Sequence, residues 1–118
     1  MKFLFLIYHD ERVLDAMPAG EMQALVDKAL EYDDEIRRSG HYIVSNALMR
    51  GRTARTIRVR EGKVATTDGP FAETKEQLGG FFLVEAKDLD EACAIAARFP
   101  PARIGTIEVR PVQELRHS

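Results

Sequence analysis

Two short segments carry apolar side chains at nearly every position. In Phe3-Leu4-Phe5-Leu6-Ile7-Tyr8 and in Phe81-Phe82-Leu83-Val84 there is no polar alternate. Successive side chains of a β-strand point to opposite faces, so Phe3, Phe5 and Ile7 project one way and Leu4, Leu6 and Tyr8 the other. A strand that is apolar on both faces is a strand covered on both faces. The opening run is six residues of apolar and aromatic side chains followed at once by His9-Asp10-Glu11-Arg12. It is far short of the ~20 residues that span a bilayer and lacks a small-residue cleavage site, so it reads as a buried strand, not a leader or an anchor.

The chain length sharpens the problem. The 118 residues are read as one domain, 1–118, with 45% hydrophobic and 31% charged side chains. A globule of this size buries roughly 65% of the surface of its unfolded chain, enough for one core. Seventeen basic against nineteen acidic side chains leave a net charge of −2, with no polycationic footprint for nucleic acid. Cys93 is the single cysteine, which excludes an internal disulfide and fits a reducing cytoplasm.

Periodicity supplies the remaining elements. Residues 9–18 are polar and end in Met17-Pro18, which predicts a loop. Over 19–39, Met22, Leu25, Val26, Ala29, Leu30, Tyr32 and Ile36 fall within one helical arc of about 160°, and Gly40 stops the helix. Asp33 lies inside that arc and Arg37 at its edge. They read either as an i,i+4 pair at the helix margin or as an acid aimed into a pocket between helix and sheet.

Residues 41–49 form a strand. Thr53–Arg60 and Lys63–Thr67 form a hairpin about Glu61-Gly62, and Phe81–Ala86 a further strand. Asp88 with Glu91 makes a capping box for a second helix, with Leu89, Ala92, Cys93, Ala96 and Phe99 as its buried stripe. Cys93 is thereby read as a small core hydrophobe. Ile104–Val112 closes the chain as a strand. Without the hairpin the order is βαββαβ, an α+β, ferredoxin-like plan. Two helices cover one face of such a sheet. The second face calls for a second copy of the chain, sheet against sheet, and the expected partner is itself.

The fourteen residues Asp68-Gly69-Pro70-Phe71-Ala72-Glu73-Thr74-Lys75-Glu76-Gln77-Leu78-Gly79-Gly80-Phe81 closely resemble the signature of the DGPF, or YCII-related, family. The resemblance extends over Lys2–Tyr8, Arg58-Glu61-Gly62-Lys63, Asp88–Ala92 and Glu108–Val112, nearly the whole chain. It implies a dimeric α/β barrel whose two sheets face each other. Relatives include a dehydrochlorinase of chlorinated hydroxyquinones, which implies cofactor-free acid–base chemistry. Others are fused to or encoded beside extracytoplasmic-function sigma factors, which implies a regulatory setting. In the shorter, founding branch of the superfamily a His on the first helix, together with an Asp, is the proposed active site. Residues 19–39 contain no His here, and the nearest are His9 and His41.

The candidate catalytic residues are therefore Asp68 as general base, with His9 or Tyr8 as its acid partner. Asp68 is equally an Asx-turn acceptor for Gly69-Pro70, His9 a solvent-facing loop histidine, and Tyr8 a core aromatic with a wet tip. Phe71, Glu73 and Lys75 of the same loop are the candidate substrate contacts. Arg50, Arg52, Arg55, Arg58 and Arg60 read as protection of an exposed strand edge or as a basic strip for an acidic ligand. No metal or other cofactor is expected: His9, Asp10 and Glu11 are adjacent and cannot all face one way on a strand. The sequence thus supports a small isomerase- or lyase-like enzyme, with a non-catalytic ligand-binding or protein-interaction module as the alternative.

Overall fold

In a computed structural model describing residues 1–118, the elements are β1 (Lys2–His9), α1 (Glu11–Ala16), α2 (Ala19–Arg38), β2 (Tyr42–Ala47), β3 (Arg55–Arg60), β4 (Lys63–Asp68), β5 (Gln77–Glu85), α3 (Leu89–Ala97) and β6 (Gly105–Pro111). Strands β2-β5-β1-β6 form one antiparallel sheet in that order, while β3 and β4 pair only with each other. This is the α+β, ferredoxin-like arrangement with an inserted hairpin. Each βαβ unit leaves room for a strand of the other between its own two strands.

Strand parity decides the core. Phe3, Phe5 and Ile7 are buried with Phe82 and Val84 beneath Tyr32 and Ile36 of α2, Ala92 and Ala96 of α3, and Phe99. Phe82 is the hub: its ring lies 6.2 Å from Phe5, 5.2 Å from Tyr42 and 5.3 Å from Phe99. The Tyr32 hydroxyl satisfies itself by donating to the Ile95 carbonyl at 2.7 Å, tying α2 to α3. The opposite parity, Leu4, Leu6, Phe81 and Leu83, lies half-buried on the sheet face that carries no helix.

Three expectations are corrected. Residues 11–16 are helical, because Asp10 is an N-cap whose carboxylate accepts from the Arg12 backbone N–H at 3.0 Å. Cys93 is exposed, as is Leu89, because α3 turns Ala92, Ala96 and part of Ile95 to the core instead. The strand expected from Phe81 begins at Gln77, so the end of the signature loop is part of β5. The capping box holds in modified form: Asp88 Oδ1 accepts from Glu91 N–H at 2.8 Å, while the Glu91 carboxylate accepts from Lys87 N–H and meets His41 Nε2 at 3.2 Å.

Candidate functional site

The N-terminal half of α2 stands away from the sheet. Val26 and Leu30 lie on its apolar arc yet are exposed, and they border the same space as Ala47, Gly79 and Gly80 of the sheet. A groove of about 420 Å³ lies between α2 and β2–β5. The groove continues past His9 toward α1 as a second space of about 380 Å³ lined by Leu14, Met22 and Leu25. Its walls are apolar, and its polar groups are few: His9 from the end of β1, Asp33 and Arg37 from α2, and Tyr42, Ser45 and Asn46 from β2.

His9 has the parity of Phe3, Phe5 and Ile7 and so points to the helix side. Its Nδ1 is buried without a hydrogen-bond partner in the protein, and so is Asp33 Oδ1. Burial holds the His9 imidazole below its ordinary value of 6.5, and Arg50 adds to the effect while Glu76 and Glu11 oppose it. Burial raises the Asp33 carboxyl above its ordinary 3.8, against the pull of Arg37. Arg37 does not neutralise Asp33. It pairs with Asp34 at 3.3 Å and lies 4.2 Å over the Tyr42 ring. The Tyr42 hydroxyl meets Ser45 Oγ at 3.0 Å, and that hydrogen bond, helped by Arg37, lowers its pKa. The site therefore offers a neutral imidazole, an unpaired carboxyl group and, nearer the start of β2, a hydroxyl under a guanidinium.

The other sequence candidates lie elsewhere, and the fold does not bring Asp68 together with His9 or Tyr8. Asp68 ends β4 on the projecting hairpin, its side chain 91% exposed and 3.5 Å from Arg55. Tyr8, next to His9 on a strand, faces the other side of the sheet. There it shares a cavity of about 560 Å³ with Phe71, Met49, Leu78 and the loop before β3. Glu73 and Lys75 line a polar depression with Asp10, Arg12 and Arg52. Asp33, which lines the groove with His9, is not among the candidate catalytic residues of the sequence, although it also reads as an acid that could aim into a pocket between helix and sheet. Two signals pointed to it: its place inside an apolar arc, and the even spacing that puts His9 with the core face of β1.

Comparison with known proteins agrees with the motif. The family model described as the YCII-related domain matches residues 1–116. An uncharacterized protein of Rhizobium meliloti (strain 1021) is 34% identical over 114 residues, covering 95% of this chain and 92% of its own. Among solved structures, 5-chloro-2-hydroxyhydroquinone dehydrochlorinase from Burkholderia phenoliruptrix AC1100, in complex with 2,5-dihydroxybenzoquinone, aligns over all of this chain and 96% of its own, with a TM-score of 0.48 and 17% identity. By its signature, the whole-length family match and its Rhizobium relative, this chain belongs to the YCII-related domain family.

Proposed function

We propose that the groove between α2 and the sheet is the reaction site of a small-molecule acid–base enzyme, isomerase- or lyase-like, in which His9 accepts a proton and Asp33 is the second proton-handling group. One observation carries this reading: two residues that line one groove, His9 and Asp33, each hold a buried polar atom without a partner, Nδ1 and Oδ1. An unpaired buried polar group costs about 1–3 kcal/mol, a cost that folds retain chiefly where it has a use. A neutral imidazole near physiological pH is suited to removing a proton from an activated carbon or hydroxyl. A carboxyl group whose protonated form burial favours is suited to returning one to an oxygen. The groove's size suits a small compound with apolar faces.

The cavity beneath Tyr8 and Phe71 supports a second reading, a ligand-binding module without chemistry, in which Phe71 and the Tyr8 hydroxyl hold the ligand and Glu73 and Lys75 form a charged rim. Asp68 keeps a role only if a partner copy encloses the hairpin. In both readings the working unit is a homodimer joined through the helix-free sheet face. The exposed, unpaired Cys93 fits a cytoplasmic setting.

The test is a thermal-shift screen of small carbonyl, dicarbonyl and phenolic compounds, followed by turnover of those that stabilise the fold. His9→Asn and Asp33→Asn should each reduce turnover about 100- to 10,000-fold with the fold intact. Turnover unchanged in both variants sinks the groove. Binding that survives both variants and is lost in Tyr8→Ala instead selects the second reading.

A further inference from the structure

Gly79 interrupts the pairing of the two central strands. Ile7 pairs with Gly80 and Tyr8 with Leu78, so Gly79 is the extra residue of a β-bulge in β5. Its carbonyl accepts from the Leu48 N–H at 2.9 Å, which anchors the bulge to the chain leaving β2. The His9 ring lies directly over it. A Cβ built on Gly79 would stand 2.4 Å from His9 Cδ2 and 3.0 Å from Nε2.

The neighbouring glycines differ in kind. A Cβ on Gly80 would meet backbone, the Asn46 carbonyl at 3.0 Å, and one on Gly105 would meet the Tyr8 carbonyl at 2.1 Å. Those two make room for strands. Gly79 makes room for a side chain. On its other side the ring is bounded by Gly105, whose Cβ would lie 3.3 Å from Nδ1.

We infer that Gly79 is a positioning residue: the bulge with its missing side chain is the socket that seats the His9 imidazole between β5 and β6. The inference rests on the reading of His9 as the proton acceptor of the groove, and it gives the first residue of the Gly79-Gly80 pair a separate purpose from the second. Because Gly105 closes the far side, a methyl group at 79 drives the ring out of its socket toward the groove. There it meets more solvent, while its distances to Arg50, Glu11 and Glu76 change.

The test is a comparison of Gly79→Ala with Gly80→Ala, each in the wild-type and in a His9→Ala background. It reads the thermal midpoint and, by NMR, the titration of the His9 ring, whose signal is assigned by its loss in His9→Ala. In the wild-type background, Gly79→Ala should lower the midpoint temperature and move the His9 titration up toward 6.5. In the His9→Ala background the same change should cost nothing or raise the midpoint, since alanine in a strand interior outperforms glycine where space allows. Gly80→Ala should lower the midpoint equally in both backgrounds and leave the His9 titration alone. If Gly79→Ala alone does not fold, the double variant folds when the socket is real. An equal loss of stability in both backgrounds, or an unmoved His9 titration, overturns the inference. That failure is distinct from failure of the groove as an active site, which is read from turnover of His9→Asn with Gly79 in place.

Discussion

At the scale of single residues, the two central groups act in opposite senses on stability. Asp33 ionises less readily in the native chain than in the unfolded one. Below its ordinary value of 3.8 both states hold the proton and nothing is lost. As pH rises above that, the unfolded chain ionises first and the native state is penalised. Asp33→Asn removes the penalty, so it should be more stable than wild type at pH 7 and indistinguishable below pH 3.8, read from denaturant midpoints across that range. His9 is the reverse: stability should decline as pH falls through 6.5, because the unfolded imidazole takes a proton that the buried one refuses. The decline levels off below the native pKa, and His9→Gln should abolish it. A variant that gains stability as it loses turnover is the signature of a site maintained at the expense of the fold. Asp33 was visible in the sequence as a polar intruder on an apolar helix face. That it would be left without Arg37 was not visible, because i,i+3 and i,i+4 partners compete and Asp34 won.

At the scale of elements, local signals succeeded where one local force dominates. The hairpin turn is such a case: Glu61 and Gly62 both take positive φ, 53° and 74°, as a two-residue turn between twisted strands requires. The α3 cap is another. Asp88 holds the Glu91 N–H, and Glu91 in turn joins α3 to Lys87 and to His41 ahead of β2. Asp88→Ala should therefore cost about 1 kcal/mol, the usual worth of an N-cap, measured by urea unfolding. Glu91→Ala removes the bond from the Lys87 N–H and the contact with His41, and should also lower the urea midpoint. Local reading failed at α1, a helix of six residues with one buried side chain, Leu14. An element that short has too little periodicity to be read, and its Asp10 cap looks like any loop acid.

At the scale of the whole molecule, the chain is a slab 49 × 47 × 18 Å, one helix layer and one sheet layer thick. Its radius of gyration is 16.4 Å, against about 13.5 Å for a compact chain of this length. The hairpin accounts for part of the excess, and its Ile57, Val59 and Val64 are more than half exposed. For the proposed dimer, Leu6→Asp places a charge at the centre of the helix-free face without touching the helix side. Light scattering should find wild type at twice the 13.3 kDa of one chain and the variant at 13.3 kDa, with helix content unchanged. A wild-type monomer removes the dimer. The two-faced strands, the helix periods, the capping box and the DGPF-type loop were legible in the sequence, because alternation and period are properties of neighbouring residues. The groove was not. It exists where Ala47, Gly79 and Gly80, from two strands, lie under Val26, Ala29 and Leu30, and it holds His9 and Asp33 from residues twenty-four apart. A cavity has no period: it is the shape left by segments that only the tertiary fold brings face to face.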